Sequence, residues 1–192
     1  MATQDSRIKL KRSTVNSTVP TVPSSNDHTD GTWIATDIYK GELFYNQADG
    51  VLWTRGDSGI ECIQGTAKLT IASADVLTLN TTPIEIVAAP GAGYAIEVIS
   101  AFVSIDFNSA AYTTSTEIQL FSTGATESQN KGTVLNATVT AIRPLNPNTA
   151  ILGATDTILI DNAALTVKSA AANPTTGDSD ITVYVTYRII TL

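Results

Sequence analysis

Residues 180–190 alternate without a break: Ile181, Val183, Val185, Tyr187 and Ile189 fall on one parity, Thr182, Tyr184, Thr186 and Arg188 on the other. Successive side chains of an extended chain point to opposite faces, so this run specifies a strand with one apolar and one more polar face, as in an antiparallel sheet packed on one side. Runs of similar character occupy residues 68–71, 76–79, 84–88, 94–107, 116–121, 133–141, 157–160 and 165–168, and no helical stripe competes with them. Within 94–107, Ile99, Ala101, Val103, Ile105 and Phe107 share one parity while Ile96 and Val98 have the other, which predicts a bulge or corner near Ser100.

Turn-forming clusters separate these runs at residues 90–93, 122–125, 146–148, 161–162 and 174–178. Regular short strands of this kind predict an all-β chain with an antiparallel β-sandwich over residues 83–192. Immunoglobulin-like and jelly-roll topologies both fit. The lone Cys62 excludes the Cys, Trp, Cys spacing of true immunoglobulin domains, so a jelly-roll-like sandwich is preferred.

The N-terminal third reads differently. Residues 1–30 are rich in Ser, Thr and Pro, and Pro20 and Pro23 favour extended backbone. Arg7, Lys9, Lys11 and Arg12 outweigh Asp5, whereas the whole chain carries a net charge of −7. Ile8 and Leu10 alternate with those cations, giving either an unstructured terminus or a strand that adds to another sheet edge. Residues 41–55, within a module spanning 31–65, read as a β-hairpin turning at Asp49-Gly50. Two strands carrying Phe44 and Trp53 are too little for an independent core, so the hairpin must dock on something. Residues 66–82 read as stalk or linker strands.

Composition removes many chemistries. One Cys makes no internal disulfide, and one Cys with one His makes no zinc cage. No apolar run approaches the length of a membrane span, and the basic stretch is not followed by the apolar segment of a secretory signal. Four cations without interleaved aromatics, on a chain of pI near 4.5, argue against nucleic-acid binding. His28 sits in a polar loop beside the Pro-rich arm, a poor place to hold a catalytic triad. The same loop grazes a calcium-loop pattern through Asn26, Asp30, Gly31 and Asp37, but His28 and Asp37 depart from it and a turn fits better. Pro90-Gly-Ala-Gly93 precedes a strand rather than a helix, so it makes no phosphate cradle. Asp178 with Asp180, and Asp156 with Asp161, read as solvated turn carboxylates. Tyr94, Tyr112, Tyr184 and Tyr187 read as packing residues rather than a sugar platform. No catalytic residue, metal ligand or cofactor is expected, and the chain is expected not to be an enzyme.

Several motifs carry a family resemblance. The run from Arg7 to Ser13, Pro20-Thr-Val-Pro23, Asp30-Gly-Thr-Trp33, Gly41-Glu-Leu-Phe-Tyr-Asn46 and Asp49-Gly-Val-Leu-Trp53 resemble an attachment module of fibre-type proteins in tailed bacteriophages. Residues 82–98 and 178–188 are similar to knob domains of phage head fibres and capsid decoration proteins. The resemblance implies a virion structural protein on the capsid surface, with an N-terminal anchor, a narrow stalk and a usually trimeric β-sandwich knob. The implied anchor residues are Arg7, Ile8, Lys9, Leu10, Lys11, Arg12, Val19, Pro20, Val22 and Pro23, contacting the major capsid protein or other virion proteins. The implied oligomer contacts are Phe44, Trp53, Leu69, Ile71, Leu77 and Leu79. The alternative implied by the same motifs is a tail-associated fibre protein that recognises a host surface glycan. Neither version calls for nucleic acid, membrane insertion or a cofactor.

Overall fold

The computed structural model of the chain describes residues 10–23, 34–57, 59–149 and 155–192. Arg7, Ile8 and Lys9 of the basic run, and His28 with the rest of the calcium-like loop up to Gly31, lie outside the described residues. The fold is all-β, with two compact units, Met1–Gln64 and Gly65–Leu192.

The first unit is built on strands β1 (Lys11–Ser13), β2 (Leu43–Asn46) and β3 (Val51–Arg55) and on the start of β4 (Ile60–Ile71). Strands β2 and β3 form the expected hairpin, and Gly50 takes the positive φ of 67° that its turn requires. Phe44 lies opposite Trp53 in that hairpin. With Ile38 and Val51 they form a small core, Phe44 being 1% and Trp53 2% exposed. A single chain therefore already removes from water the two aromatics read above as oligomer contacts. The basic strand also finds its edge within the chain: β1 pairs in parallel with β2, Lys11 against Phe44 and Ser13 against Asn46.

The second unit begins inside β4. A four-residue helix, α1 (Ser73–Val76), leads to β5 (Ile84–Val87), β6 (Tyr94–Asp106), β7 (Tyr112–Thr113), β8 (Glu117–Ser122) and β9 (Asn130–Thr133). There follow β10 (Ala141–Pro144), β11 (Asn146–Pro147), β12 (Leu165–Ser169), β13 (Thr175–Thr176) and β14 (Asp180–Thr191). One sheet has the order β4–β14–β6–β10 and the other β11–β9–β8–β12–β5, with β13 and β7 as a small extra pair. The long alternating strand β14 sits between β4 and β6, antiparallel to both. Ile181, Val183, Val185 and Tyr187 are its buried face, with Val103 and Ile105 of β6 on the same side of that sheet. Ile118, Leu120, Leu165 and Val167 of the second sheet complete the core. The pairing of β14 with β6 slips between Thr186 and Tyr187, skipping Ile99, which is the bulge expected near Ser100.

Four expectations are corrected. Residues 66–82 are not a separate stalk but belong to the second unit: Leu69 and Ile71 pair with Val183 and Ile181. Ile71, Val76 and Leu79 are at most 1% exposed, and Leu69 and Leu77 are half-buried, so the chain's own core covers most of the contacts assigned to an oligomer. Residues 76–79 form no strand: α1 and the turn after it bury Val76 and Leu79, three apart, as a helical turn does. Residues 157–160, read as a strand, join no ladder. Gly65 marks where the second unit starts, and a Cβ there would overlap the Tyr187 ring.

Because Leu79 is wholly buried, Leu79→Ala should cost about 2–5 kcal/mol. Urea unfolding followed by far-UV circular dichroism should show a lowered midpoint; a wild-type midpoint would return residues 66–82 to an independent stalk.

Candidate functional site

Strand β2 alternates strictly, with Phe44 and Asn46 buried and Leu43 and Tyr45 exposed at 36% and 37%. Register places Tyr45 between Arg12 on one side and Leu52 on the other, and Leu43 beside Thr54. Arg12 and, one residue before β1, Leu10 are exposed. The outer face of this small sheet is thus apolar with one guanidinium. Lys11 has the opposite parity, and its Nζ donates to the Asp37 carbonyl at 2.6 Å and to the Glu42 carboxylate at 3.1 Å.

The arm is held down by further bonds within the first unit. Thr21 pairs with Asp37 as an isolated parallel bridge, and its hydroxyl donates to Asp37 Oδ1 at 2.6 Å. Pro20 and Pro23 are buried, Val19 is half-buried and Val22 is exposed. Of the described anchor residues, Leu10, Arg12 and Val22 therefore face solvent, whereas Lys11, Pro20 and Pro23 fix the arm. The residue that sequence reasoning missed is Asn46. Its Nδ2 donates to the carbonyls of Val15 and Thr18, both at 3.1 Å, and its Oδ1 accepts from Ala48 N–H at 3.0 Å. Ser17 N–H donates to Asp49 at 2.6 Å, closing the same knot. Only its place just before Ala48-Asp49-Gly50 hinted at this, since Asn and Asp bond nearby backbone in turns.

In the second unit, the outer face of β4, β14 and β6 carries a groove of about 400 Å³. Its geometry follows from register. Thr66, Thr186 and Ser100 form one outward row across three strands, and Lys68, Tyr184 and Phe102 form the next. Short side chains beside long ones make a step, and both rows line the groove. Tyr184 and Phe102 are 40% and 46% exposed, and Lys68 Nζ lies 5.5 Å from the Tyr184 ring centroid. Tyr112 and Tyr187 are core residues as expected, but Tyr184 is not.

Three carboxylates of the acidic pairs, Asp178, Asp180 and Asp161, accept from backbone amides. Asp178 accepts from Ser109 N–H and Oγ–H, Ala110 N–H and Asn108 Nδ2 at 2.6–3.1 Å. The bond from the Ser109 hydroxyl, then those from the Ala110 and Ser109 amides, pull its carboxyl down to about 2. Asp180 accepts from Ser73 N–H at 2.8 Å and Asp161 from Gly93 N–H at 2.7 Å. Burial, then the Asp180 charge, pushes the Tyr112 phenol up to about 12, so it stays protonated and donates to the Ser179 carbonyl at 2.6 Å. Among the described residues no group of three His, Cys, Asp or Glu side chains is placed to hold a metal.

No protein-family model matches the chain, and no curated protein matches it. A solved structure described as the cyanophage Pam1 capsid asymmetric unit contains a similar chain: 17% identity, a TM-score of 0.41, and coverage of 66% of this chain and 84% of that one.

Two outcomes follow from the arm and from Asp178. Asn46→Ala strands the partners of its amide at a buried position, at a cost of about 1–3 kcal/mol. Hydrogen exchange should then accelerate at Ser17 and Ala48; unchanged protection there would show that the knot does not hold the arm. A carboxyl whose folded pKa is depressed to about 2 stabilises the fold fully above its ordinary value of about 3.9, and this stabilisation fades as pH falls through the folded value. The stability gap between the native chain and Asp178→Ala should be constant above about pH 5 and close toward pH 2, as measured by denaturant midpoints. A gap that does not change with pH would contradict stabilisation by the Asp178 carboxylate.

Proposed function

We propose that the chain is a structural protein of a tailed-phage virion, a head fibre or capsid decoration protein that attaches through its N-terminal unit and presents residues 65–192 as a knob. The family motifs support this, and the observation that carries it is the outer face of the first unit. There the arm is pinned onto the hairpin while Leu10, Arg12, Leu43 and Tyr45 remain uncovered on an otherwise acidic chain. An apolar face with a guanidinium suits a partner surface that offers apolar pockets and carboxylates. The major capsid protein is the partner the motifs imply.

The strand orders support the jelly-roll form of the knob. Taking β4, β5, β6, β8, β9, β10, β12 and β14 as strands one to eight, the sheets run one-eight-three-six and two-seven-four-five. Every connection except β8 to β9 then passes from one sheet to the other, as two nested Greek keys require. Assembly as a homotrimer is part of the proposal, and with Phe44, Trp53, Ile71 and Leu79 buried in the single chain it must use other surfaces. The role needs no catalysis and no cofactor. A second placement, on the tail as a receptor-binding fibre, is favoured by the groove on the knob.

Co-sedimentation with capsids lacking this protein tests the attachment face. Arg12→Glu should weaken binding at least about tenfold, or about 1.4 kcal/mol, and Tyr45→Ala should weaken it too, with thermal unfolding unchanged. Native-like binding by both variants would remove this face from the attachment site.

A further inference from the structure

The groove on the outer face of β4, β14 and β6 has chemistry that attachment does not use. The hydroxyls of Thr66, Thr186 and Ser100 have no side-chain hydrogen bond among the described residues. In the row beyond Tyr184, by contrast, Thr70 and Thr182 are bonded to each other at 3.1 Å. Lys68 has no carboxylate partner among the described residues and rests on the Tyr184 ring. The next outward row on the far side of the hydroxyls is the Arg188–Glu97 ion pair, already satisfied. The result is a floor of uncommitted hydroxyls beneath a wall of two adjacent aromatic rings and one ammonium, on a chain of net charge −7.

We infer that this groove binds an acidic saccharide. A pyranose ring has an apolar C–H face and a rim of hydroxyls, which match the Tyr184 and Phe102 rings and the row Thr66, Thr186 and Ser100. A ring carboxylate pairs with the Lys68 ammonium, the one charge in the groove. Size favours a small ligand over a protein. Four strands about 4.8 Å apart and seven residues at about 3.3 Å each give a face of roughly 440 Å². A stable protein interface needs about 800 Å² from each partner, whereas a short oligosaccharide is covered by less. Charge decides between neutral and acidic sugars, because an ammonium with no carboxylate partner among the described residues, on an acidic chain, gains most from an anionic ligand.

The full chain, fluorescently labelled, should be applied to an array carrying uronic- and sialic-acid oligosaccharides beside their neutral counterparts. Acidic saccharides should be retained over neutral ones. Lys68→Gln should cut that preference at least tenfold and Lys68→Arg restore it, while Tyr184→Ala should abolish binding to both. Thr186→Val, a near-isosteric change, should weaken binding with the circular dichroism spectrum unaltered. Equal retention of acidic and neutral sugars, no retention, or indifference to Lys68→Gln would overturn the assignment. So would a fall in solution mass for Phe102→Ala by light scattering, which would show that another copy covers the face. None of these outcomes depends on whether the protein sits on head or tail.

Discussion

Strand β14 must be hydrogen-bonded along both edges at once. It lies between β4 and β6, and residues 181–187 pair with both neighbours. An unpaired backbone group inside a packed sheet costs about 1–3 kcal/mol, so a central strand of this length fixes the strands beside it. The consequence reaches back through the chain, because Gly65–Ile71 supplies one of those edges. The second unit therefore cannot start at residue 83. It closes only when its first and last strands meet, which also makes its topology one of distant contacts.

The two faces of β14 divide the work. Inward, Ile181, Val183, Val185 and Tyr187 fill the core; outward, Thr182, Tyr184 and Thr186 reach solvent beside Phe102 and Ser100. The bulge at Ile99 keeps the inward parity of β6 correct past the slip, so Ile96 is buried on one side of it and Ala101 on the other. The groove on the outer face is therefore held by the same pairing that builds the core, with its aromatic pair fixed by register rather than by a loop.

Much of this was legible from period alone. The strands around Val183 and Val103, the Asp49-Gly50 hairpin and the bulge follow from alternation and turn chemistry, which are local. The failures concern what one segment meets. Val76 and Leu79 belong to a short apolar run whose period is ambiguous over so few residues. Phe44 and Trp53 were recognisably in need of cover, but no pattern states that their own chain provides it. Asn46 as a knot for the arm depends on carbonyls some 30 positions away, and Tyr184 as an exposed ring depends on which side of the sheet the core occupies. Parity shows that two faces differ, whereas the groove becomes visible only once Thr66, Thr186 and Ser100 share a row.

An arm locked onto its hairpin with an apolar, basic outer face, and a β-sandwich with a ligand-sized groove, are the two features on which the proposed attachment and presentation rest. Under the proposed virion role, antibody labelling of intact phage particles carrying the protein, viewed by electron microscopy, tests this account most directly. Label distributed over the heads is the predicted result. Label confined to the tail would contradict the head assignment in favour of a receptor-binding fibre, and virions that contain none of the protein would contradict a structural role altogether.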